Sequence, residues 1–295
     1  MSKKTYRKLQ KISSSFFVSL PKKWIKSYDL DKKSTIAIRV RSDGSLILQP
    51  KMKETQLKDE LVLEANSYVA RDVVKNSLSG VESIIVLAEK EIEKDIRKDI
   101  KFFIDGLPNT YIIEESRQRI VIQNLGYKKV PTHKLIKRLL YLVCDMFENL
   151  RENDIDDLER NFKQLRKFYF ILVTHIRTYL RTGIYVSEDK DFTPVEAMDF
   201  RMFCQKIEQI GVILLNLRVN SQVEDFFILI EEYFNQVLEA FLKKDYDLAY
   251  KLWFKRDKLV KQAKELMNTL DYTDVDKLKD MMAIAHACKD MSALI

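Results

Sequence analysis

The chain has 295 residues, of which 46% are hydrophobic and 32% are charged, and its formal net charge is +7. This length and composition predict a globular protein of two or three domains and exclude an intrinsically disordered chain. Residues 1–50 carry twelve Lys and Arg against three Asp, which leaves a net charge of −2 on the other 245 residues. The sequence therefore indicates a local polyanion-binding surface rather than a generally basic protein.

The cysteines and the lengths of the apolar runs predict the cellular location of the protein. Cys144, Cys204 and Cys288 are odd in number and far apart, without a Cys-x-x-Cys pair, so we expect reduced, mostly buried thiols in a cytoplasmic protein. No apolar stretch follows the charges of the first residues, so no secretory signal is expected. No apolar run approaches the ~20 residues that cross a bilayer, so we expect a chain that is not embedded in a membrane.

The first fifty residues predict about four short strands and one helical turn. Strands are expected at 6–12 and 15–20, and Pro21 begins a short basic helical turn. Alternating apolar residues over 34–50, with Asp43-Gly44 at the turn and Pro50 at the end, predict a β-hairpin. A unit of this size buries too little surface to be secure alone, so the sequence favours dimerisation.

The next segment predicts a small α/β module. A helix at 57–77, a strand at 83–87, a helix at 91–104 and strands at 111–115 and 119–123 are separated by glycine and proline.

Beyond residue 130 the sequence predicts helices almost throughout. Thr193-Pro194-Val195-Glu196 is a capping box with proline in the first helical position, so a helix is expected to begin there. Long helices with short connections are typical of antiparallel bundles. The six predicted helices cover 131–151, 154–182, 193–219, 221–243, 245–270 and 273–293.

The first fifty residues resemble the swapped-hairpin DNA-binding domain of the SpoVT/AbrB class. The resemblance rests on 19–24 (SLPKKW) after a strand, on Asp29-Leu30 before a strand that contains Arg39, and on the Asp43-Gly44 hairpin. It implies that apolar strand residues interlock two chains in a homodimer while basic residues face double-stranded DNA. The implied dimer core is Phe16, Val18, Leu20, Ile36 and Ile38.

The same resemblance implies a set of DNA-binding residues. Because neutralised phosphates release counterions, the affinity is expected to fall steeply with salt. Arg7, Arg39 or Arg41 would read base edges, although Arg39 and Arg41 are equally well interpreted as charges on an exposed strand. The implied DNA-binding residues are Arg7, Lys8, Lys11, Lys22, Lys23, Lys26, Arg39 and Arg41.

The helical part resembles the PhoU family of phosphate-uptake regulators. Residues 237–245 (VLEAFLKKD), followed by Arg256-Asp257, look like that family's helix-loop-helix signature, and 284–290 (IAHACKD) looks like a bundle-closing helix. Residues 53–128 are similar to the linker module of archaeal proteins that fuse the two domains.

Together these resemblances imply an α+β, predominantly α fold with three domains. The implied domains are a DNA-binding and dimerisation domain at 1–52, a linker module at 53–128, and a PhoU-like pair of three-helix bundles at 129–295.

PhoU proteins hold metal clusters through acidic residues four apart on inward helix faces, and this chain departs from that pattern. Asp257 is followed at that spacing by Lys261, and in the first bundle the corresponding residues are Phe162 and Arg166. We therefore expect no strong metal site and no cofactor. Asp245, Asp257 and His286 are weak candidates for a metal, and a helix cap, an ion-pair member and a helix-face histidine are the better interpretation.

The sequence favours a binding protein over an enzyme. His133, His175 and His286 are far apart and no glycine-rich phosphate loop is present. The leading hypothesis is a homodimeric, DNA-binding transcription regulator of phosphate uptake and homeostasis, whose bundles sense a signal or bind a partner.

Two alternatives remain. In the second hypothesis, the chain is a cytoplasmic interaction module that regulates a phosphate transporter component or a sensor kinase without binding DNA. The third hypothesis is an antitoxin head, against which the long helical tail argues, since antitoxins usually neutralise with a short disordered segment.

Overall fold

The structure is a computed structural model that describes residues 6–40, 44–50, 60–126, 130–182 and 193–295. The chain divides into two compact units, Met1–Lys58 and Asp59–Ile295. Among the described residues, strands lie in the first unit and in the first part of the second, and residues 130–182 and 193–295 are mainly helical. The predicted fold class, α+β and predominantly α, is confirmed.

The described residues of the first unit form two antiparallel hairpins and one short helix. Strand β1 (Gln10–Ile12) pairs with β2 (Ser15–Phe17), and β3 (Ile36–Val40) pairs with β4 (Leu46–Pro50). The hairpins are separate two-stranded sheets, with helix α1 (Lys22–Ser27) between them in the chain. The hairpin predicted over 34–50 is confirmed.

The first two strands are shorter than predicted. Residues 6–9 and 18–20 do not belong to a strand, because only three residues on each side of the turn at Ser13 lie opposite a partner within the chain. A strand needs such a partner for its backbone hydrogen bonds. Val18 and Leu20, predicted on a strand, are therefore outside one in the single chain.

The second unit begins with a four-stranded sheet in the order β5-β6-β8-β7. Alternate residues of the central strands, Ile84 and Val86 on one and Ile120 and Ile122 on the other, pack against two helices in one hydrophobic cluster. The strands are β5 (Glu60–Glu64), β6 (Ser83–Leu87), β7 (Thr110–Glu115) and β8 (Arg119–Asn124), and the helices are α2 (Val69–Ser77) and α3 (Lys94–Asp105).

Of the helix predicted at 57–77, residues 57–59 lie outside the described part of the chain, and the prediction is wrong for residues 60–68. Residues Glu60–Glu64 form β5, which pairs in parallel with β6, and helix α2 begins only at Val69. Asn66 marks the break, because its side chain accepts a hydrogen bond from the Tyr68 N–H at 2.8 Å. The apolar residues at 61 and 63 fit the two-residue period of a strand. Pairing of this segment with β6 stabilises the strand more than local helix propensity stabilises a helix.

The six predicted helices are all present. They pack in two groups of three around one hydrophobic core, with further contacts between α6 and α9 and between α4 and α7. The capping box at Thr193 and Glu196 is confirmed. The helices are α4 (Thr132–Glu152), α5 (Ile155–Thr182), α6 (Pro194–Asn216), α7 (Glu224–Lys243), α8 (Tyr246–Met267) and α9 (Tyr272–Ser292).

Helix boundaries differ from the predictions by a few residues. Helix α3 begins at Lys94 rather than 91, since Glu93, with ψ 147°, is not helical and the buried Ile92 donates its N–H to the Arg117 carbonyl. Helix α6 ends at Asn216 because Leu217 is extended. Among the helices in the described ranges, none combines the length and the apolar character needed to cross a membrane.

The two groups of helices repeat the same turn. Asn153 between α4 and α5 and Lys244 between α7 and α8 both have positive φ, +57° and +54°. The next residue caps the following helix in each case: Asp154 accepts from the Asp157 N–H at 3.0 Å, and Asp245 from the Leu248 N–H at 2.9 Å. The helical region therefore contains a structural repeat of a helical hairpin.

Candidate nucleic-acid interface

Six of the predicted DNA-binding residues have described side chains, and all six are exposed. Within the described part of the chain none of them makes an ion pair, so their charges are available to phosphate. Arg41 lies outside the described residues, and Arg39 is placed only by its backbone, opposite Ile47 in the second hairpin. The six are Arg7, Lys8, Lys11, Lys22, Lys23 and Lys26.

Helix α1 concentrates three of these cations. Lys22 and Lys26 are four residues apart and share one side of the helix, and Lys23 precedes Trp24. Trp24 is half-buried and its ring lies 5.7 Å from that of Tyr28. The short helix thus presents its lysines to solvent, and its Trp24 forms an aromatic pair with Tyr28 at the C-terminal end of the helix.

The backbone after α1 fixes how the helix ends. Asp29 has φ +46°, and the Leu30 N–H donates to the Ile25 carbonyl at 3.0 Å while the Asp29 N–H donates to the Lys26 carbonyl. This pair of bonds is the Schellman motif, which needs a left-handed residue. The sequence pair Asp29-Leu30 after the helix is its sequence signal.

A polar turn leads from there into β3. The side chain of Asp31 accepts hydrogen bonds from the Ser34 hydroxyl and from the Lys33 N–H, both at 2.9 Å. These bonds, the Ser34 one first, lower the pKa of the Asp31 carboxyl. The turn is therefore built on an ionised aspartate at neutral pH.

The described residues of the first unit form no core of their own. Among residues 6–40 and 44–50 no side chain that the structure describes is buried. The predicted dimer-core residues Phe16, Ile38 and Val18 are 67%, 64% and 48% exposed, and Leu20 and Ile36 are half-buried. An isolated two-stranded hairpin is only marginally stable in water, so apolar surface of this extent indicates a missing partner.

The three weak metal candidates of the helical region have structural partners. Asp245 caps α8, and Asp257 pairs with Arg256 at 2.7 Å. The Arg256 Nε–H donates to His286 Nδ1 at 2.8 Å. Burial, and next the charge of Arg256, lower the pKa of His286, so the imidazole is a neutral acceptor.

Within the residues that the structure describes, no three His, Cys, Asp or Glu side chains are grouped closely enough to hold a metal ion.

The repeated turn also corrects one sequence correspondence. Asp154 and Asp245 are 91 positions apart, as are Cys144 and Asn235, whose side chains touch. At that offset the first-bundle counterpart of Asp257 is Arg166, not Phe162. The Asn153-Asp154 turn itself was missed in the sequence, although the recurring Asp-x-Asp at 154–156 and 245–247 could have revealed it.

Comparison with known proteins gives a match within the first unit. Residues 9–56 match the family described as antidote-toxin recognition MazE, bacterial antitoxin. Neither the curated proteins nor the solved structures gave a match. The matched segment supports a swapped-hairpin DNA-binding type of domain at the N-terminus, and with it a DNA-binding regulator that dimerises.

Proposed function

We propose that this chain is a homodimeric transcription regulator whose first unit pairs with that of a second copy to bind double-stranded DNA. The observation that carries the proposal is the exposure of Phe16 and Ile38 in hairpins whose described residues form no core. Interlocking two chains would bury this apolar surface, and each Å² buried stabilises the dimer by about 25 cal/mol. The same unit holds the basic excess of the whole chain, on side chains without ion pairs among the described residues.

Binding of the full-length protein to labelled duplex DNA tests the proposal. We expect the logarithm of the affinity to fall linearly with the logarithm of the salt concentration, by about 0.9 per phosphate contact. Replacing Lys22, Lys23 and Lys26 together by alanine should weaken binding and make this slope shallower.

The matched control is Lys32→Ala with Lys33→Ala, which removes exposed cations of the same unit that are outside the predicted set. Equal losses of DNA affinity in the triple variant and in this control would contradict the assignment of DNA-binding residues. Undetectable binding at low salt would contradict the function.

The link to phosphate supply is part of the proposal. It is supported by the resemblance of the helical region to the PhoU family and by the repeat of a capped helical hairpin in its two halves. The helical region would act as a non-enzymatic receiver of a signal. A receiver controls DNA binding only if its ligand binds the two geometries of the DNA-binding heads differently.

Genome-wide occupancy in phosphate-replete and phosphate-starved cells tests this link. We expect occupied sites near phosphate-uptake genes, with an occupancy that differs between the two conditions. Occupancy that is identical in both conditions would overturn the phosphate part and leave DNA binding intact.

Toxin neutralisation is a second candidate, favoured by the match of residues 9–56 to an antitoxin family. It predicts that the chain rescues growth when it is co-expressed with a toxin encoded beside it. DNA binding without rescue favours the regulator, whereas rescue by the full chain favours the antitoxin.

A further inference from the structure

Helix α4 begins differently from the five helices that follow it. Its N-cap is Pro131, no side chain among the described residues caps its first N–H groups, and its first turn contains no acidic residue. In each of the five later helices a capping side chain or an acidic residue lies at the corresponding end. The free N–H groups and the helix dipole make an uncapped N-terminus positive. We call residues 131–134 the α4 start.

Thr132, the first residue of α4, has hydrogen-bond donors without acceptors. It is 4% exposed, and its hydroxyl is a buried polar group with no hydrogen-bond partner in the described part of the chain. Its backbone N–H likewise has no acceptor there, whereas the N–H groups of Lys134 and Leu135 both donate to the Pro131 carbonyl, at 3.0 and 3.2 Å. Buried polar groups nearly always have a partner, either in the protein or in a bound molecule. The two donors of Thr132 therefore point to an acceptor that binds at the α4 start.

The charges beside the α4 start are mostly positive. Lys134 and Lys137 are exposed and make no ion pair with a described residue, and the first acidic residue of α4 is Asp145. Helix α5 packs along α4 after the short turn at Asn153, so the later residues of α5 lie beside the α4 start. Residues 163–182 of α5 contain five Lys and Arg and no acidic residue.

Helix α6 also packs on α4, and its first turns bring two acidic residues that count against these cations. Glu196 accepts hydrogen bonds from the N–H and the hydroxyl of Thr193, at 2.7 and 3.1 Å, in the capping box. Asp199 is half-buried, and Arg201 follows it two positions later. The described residues at this end of the helical region therefore keep a positive excess, which favours an anionic acceptor over a neutral one.

We propose that the α4 start binds a small oxyanion of the size of phosphate. The N–H and the hydroxyl of Thr132 would donate to its oxygens, and Lys134 would pair with its charge. Because Thr132 is enclosed, the site suits a free ion better than a phosphate group carried by nucleic acid or by a lipid. The half-buried Val130 and Pro131 precede Thr132 in the chain, so the site lies near the surface.

The choice of phosphate among oxyanions rests on the proposed function, in which the helical region receives a signal of phosphate supply. The binding of an oxyanion itself rests on Thr132 and on the cations around it, and it requires neither DNA nor a second copy of the chain.

Inorganic phosphate and sulfate, added to the full-length protein at an ionic strength held constant with chloride, test the proposal. We expect the unfolding temperature to rise with phosphate concentration and not with chloride, since a ligand that binds only the folded chain stabilises it. Isothermal titration calorimetry then measures the affinity. Sulfate that binds as tightly as phosphate would support the oxyanion site and contradict the choice of phosphate.

Two substitutions locate the site. Thr132→Val keeps the shape of the side chain and removes the hydroxyl donor, so it should weaken phosphate binding about tenfold or more. Lys134→Gln should weaken it less, and its effect should shrink as salt is added. The matched controls, which should leave the affinity unchanged, are Thr110→Val and Lys94→Gln. Thr110 is also 4% exposed, but its hydroxyl donates to the Pro108 carbonyl at 3.3 Å, and Lys94 is the first residue of α3.

Three results would overturn the proposal. The first is no stabilisation by either oxyanion, and the second is an equal loss of phosphate affinity in Thr132→Val and Thr110→Val. The third is phosphate binding that survives Thr132→Val and is lost when Lys22, Lys23 and Lys26 are replaced by alanine, which would place the ion in the first unit. Circular dichroism verifies that the variants are folded.

The affinity for duplex DNA separates this proposal from the proposed function. Phosphate that binds at the α4 start and changes the DNA affinity supports both. Phosphate that binds there and leaves the DNA affinity unchanged supports the site and contradicts only the role of the helical region as a receiver.

Discussion

The thiol of Cys144 on α4 lies 3.6 Å from the side-chain oxygen of Asn235 on α7, and the two residues are 91 positions apart. Asp154 and Asp245, which cap the second helix of each helical hairpin, have the same separation. Cys144 and Asn235 are therefore counterparts in the two halves of the helical region. A contact between counterpart positions is what an approximate two-fold relation between the halves produces.

The repeated turn gives the first prediction, which compares two neighbouring lysines. Lys244 has φ +54°, a conformation that costs a residue with a side chain about 1 kcal/mol and glycine almost nothing. Lys244→Gly should therefore raise the free energy of unfolding by about 0.5–1 kcal/mol. Lys243→Gly, one residue earlier within α7, should lower it by about 1 kcal/mol. Urea denaturation followed by circular dichroism measures the free energy of unfolding of both variants. An equal decrease in the two variants would contradict the left-handed conformation of Lys244.

The second prediction concerns the close approach of α5 and α6. A Cβ added at Gly211 would overlap the Cδ2 atom of Leu165, which is fully buried. Gly211→Ala should lower the free energy of unfolding by about 1–2 kcal/mol, since overpacking outweighs the better helix propensity of alanine.

A double-mutant cycle isolates this contact. In a Leu165→Ala background the added methyl group at position 211 has room, so the same Gly211→Ala change should be neutral or stabilising. If the glycine substitution has the same effect in both backgrounds, the overlap with Leu165 is not its cause.

The third prediction separates a dimer from a monomer. Phe16 is 67% exposed in one chain, and a change at an isolated surface position shifts stability by no more than about 0.5 kcal/mol. If Phe16 lies in the core between two chains, Phe16→Asp should abolish the dimer in sedimentation equilibrium. Tyr68→Asp, at a ring that is 68% exposed in the α/β module, should leave the mass unchanged. A wild-type chain that sediments as a monomer would refute the paired core.

The fourth prediction is a dependence of stability on pH. His175 is 3% exposed in α5, and its burial lowers the pKa of the imidazole below the ordinary value of 6.5. The unfolded chain therefore binds more protons than the folded chain near and below pH 6.5, so the free energy of unfolding should decrease as the pH falls through that value.

A neutral substitute tests the origin of that slope. His175→Gln should flatten the dependence of unfolding free energy on pH between 7 and 5, compared with His133→Gln at an exposed position. An unchanged slope would assign the effect to other groups, of which His286, also with a lowered pKa, is the next to replace.

Sequence patterns predicted an element correctly where a local signal marked it. The Thr193–Glu196 capping box marked the start of α6, and alternation predicted the β3–β4 hairpin. They failed at Glu60–Glu64, where the choice between helix and strand depends on pairing with Ser83–Leu87. Such pairing is a tertiary contact that no local pattern encodes.

The candidate interface could be predicted only in part for a related reason. The exposure of Lys22, Lys23 and Lys26 follows from their positions on a short helix. The role of Phe16 depends on a second chain, and the assignment of Arg39 depends on a side chain outside the described part. The DNA contacts stay predictions.

The two sheet edges of the α/β module differ from those of the N-terminal hairpins in how they resist aggregation. Strand β7 carries a bulge between Ile112 and Glu114, and β5 begins and ends with glutamate. Bulges and charges of this kind discourage a foreign strand from adding to an open edge. Strands β3 and β4 are paired without a bulge and have no acidic residue among those described. Among the described residues, the second unit therefore protects its open edges with a bulge and with glutamates, whereas the β3–β4 hairpin has neither of these two features.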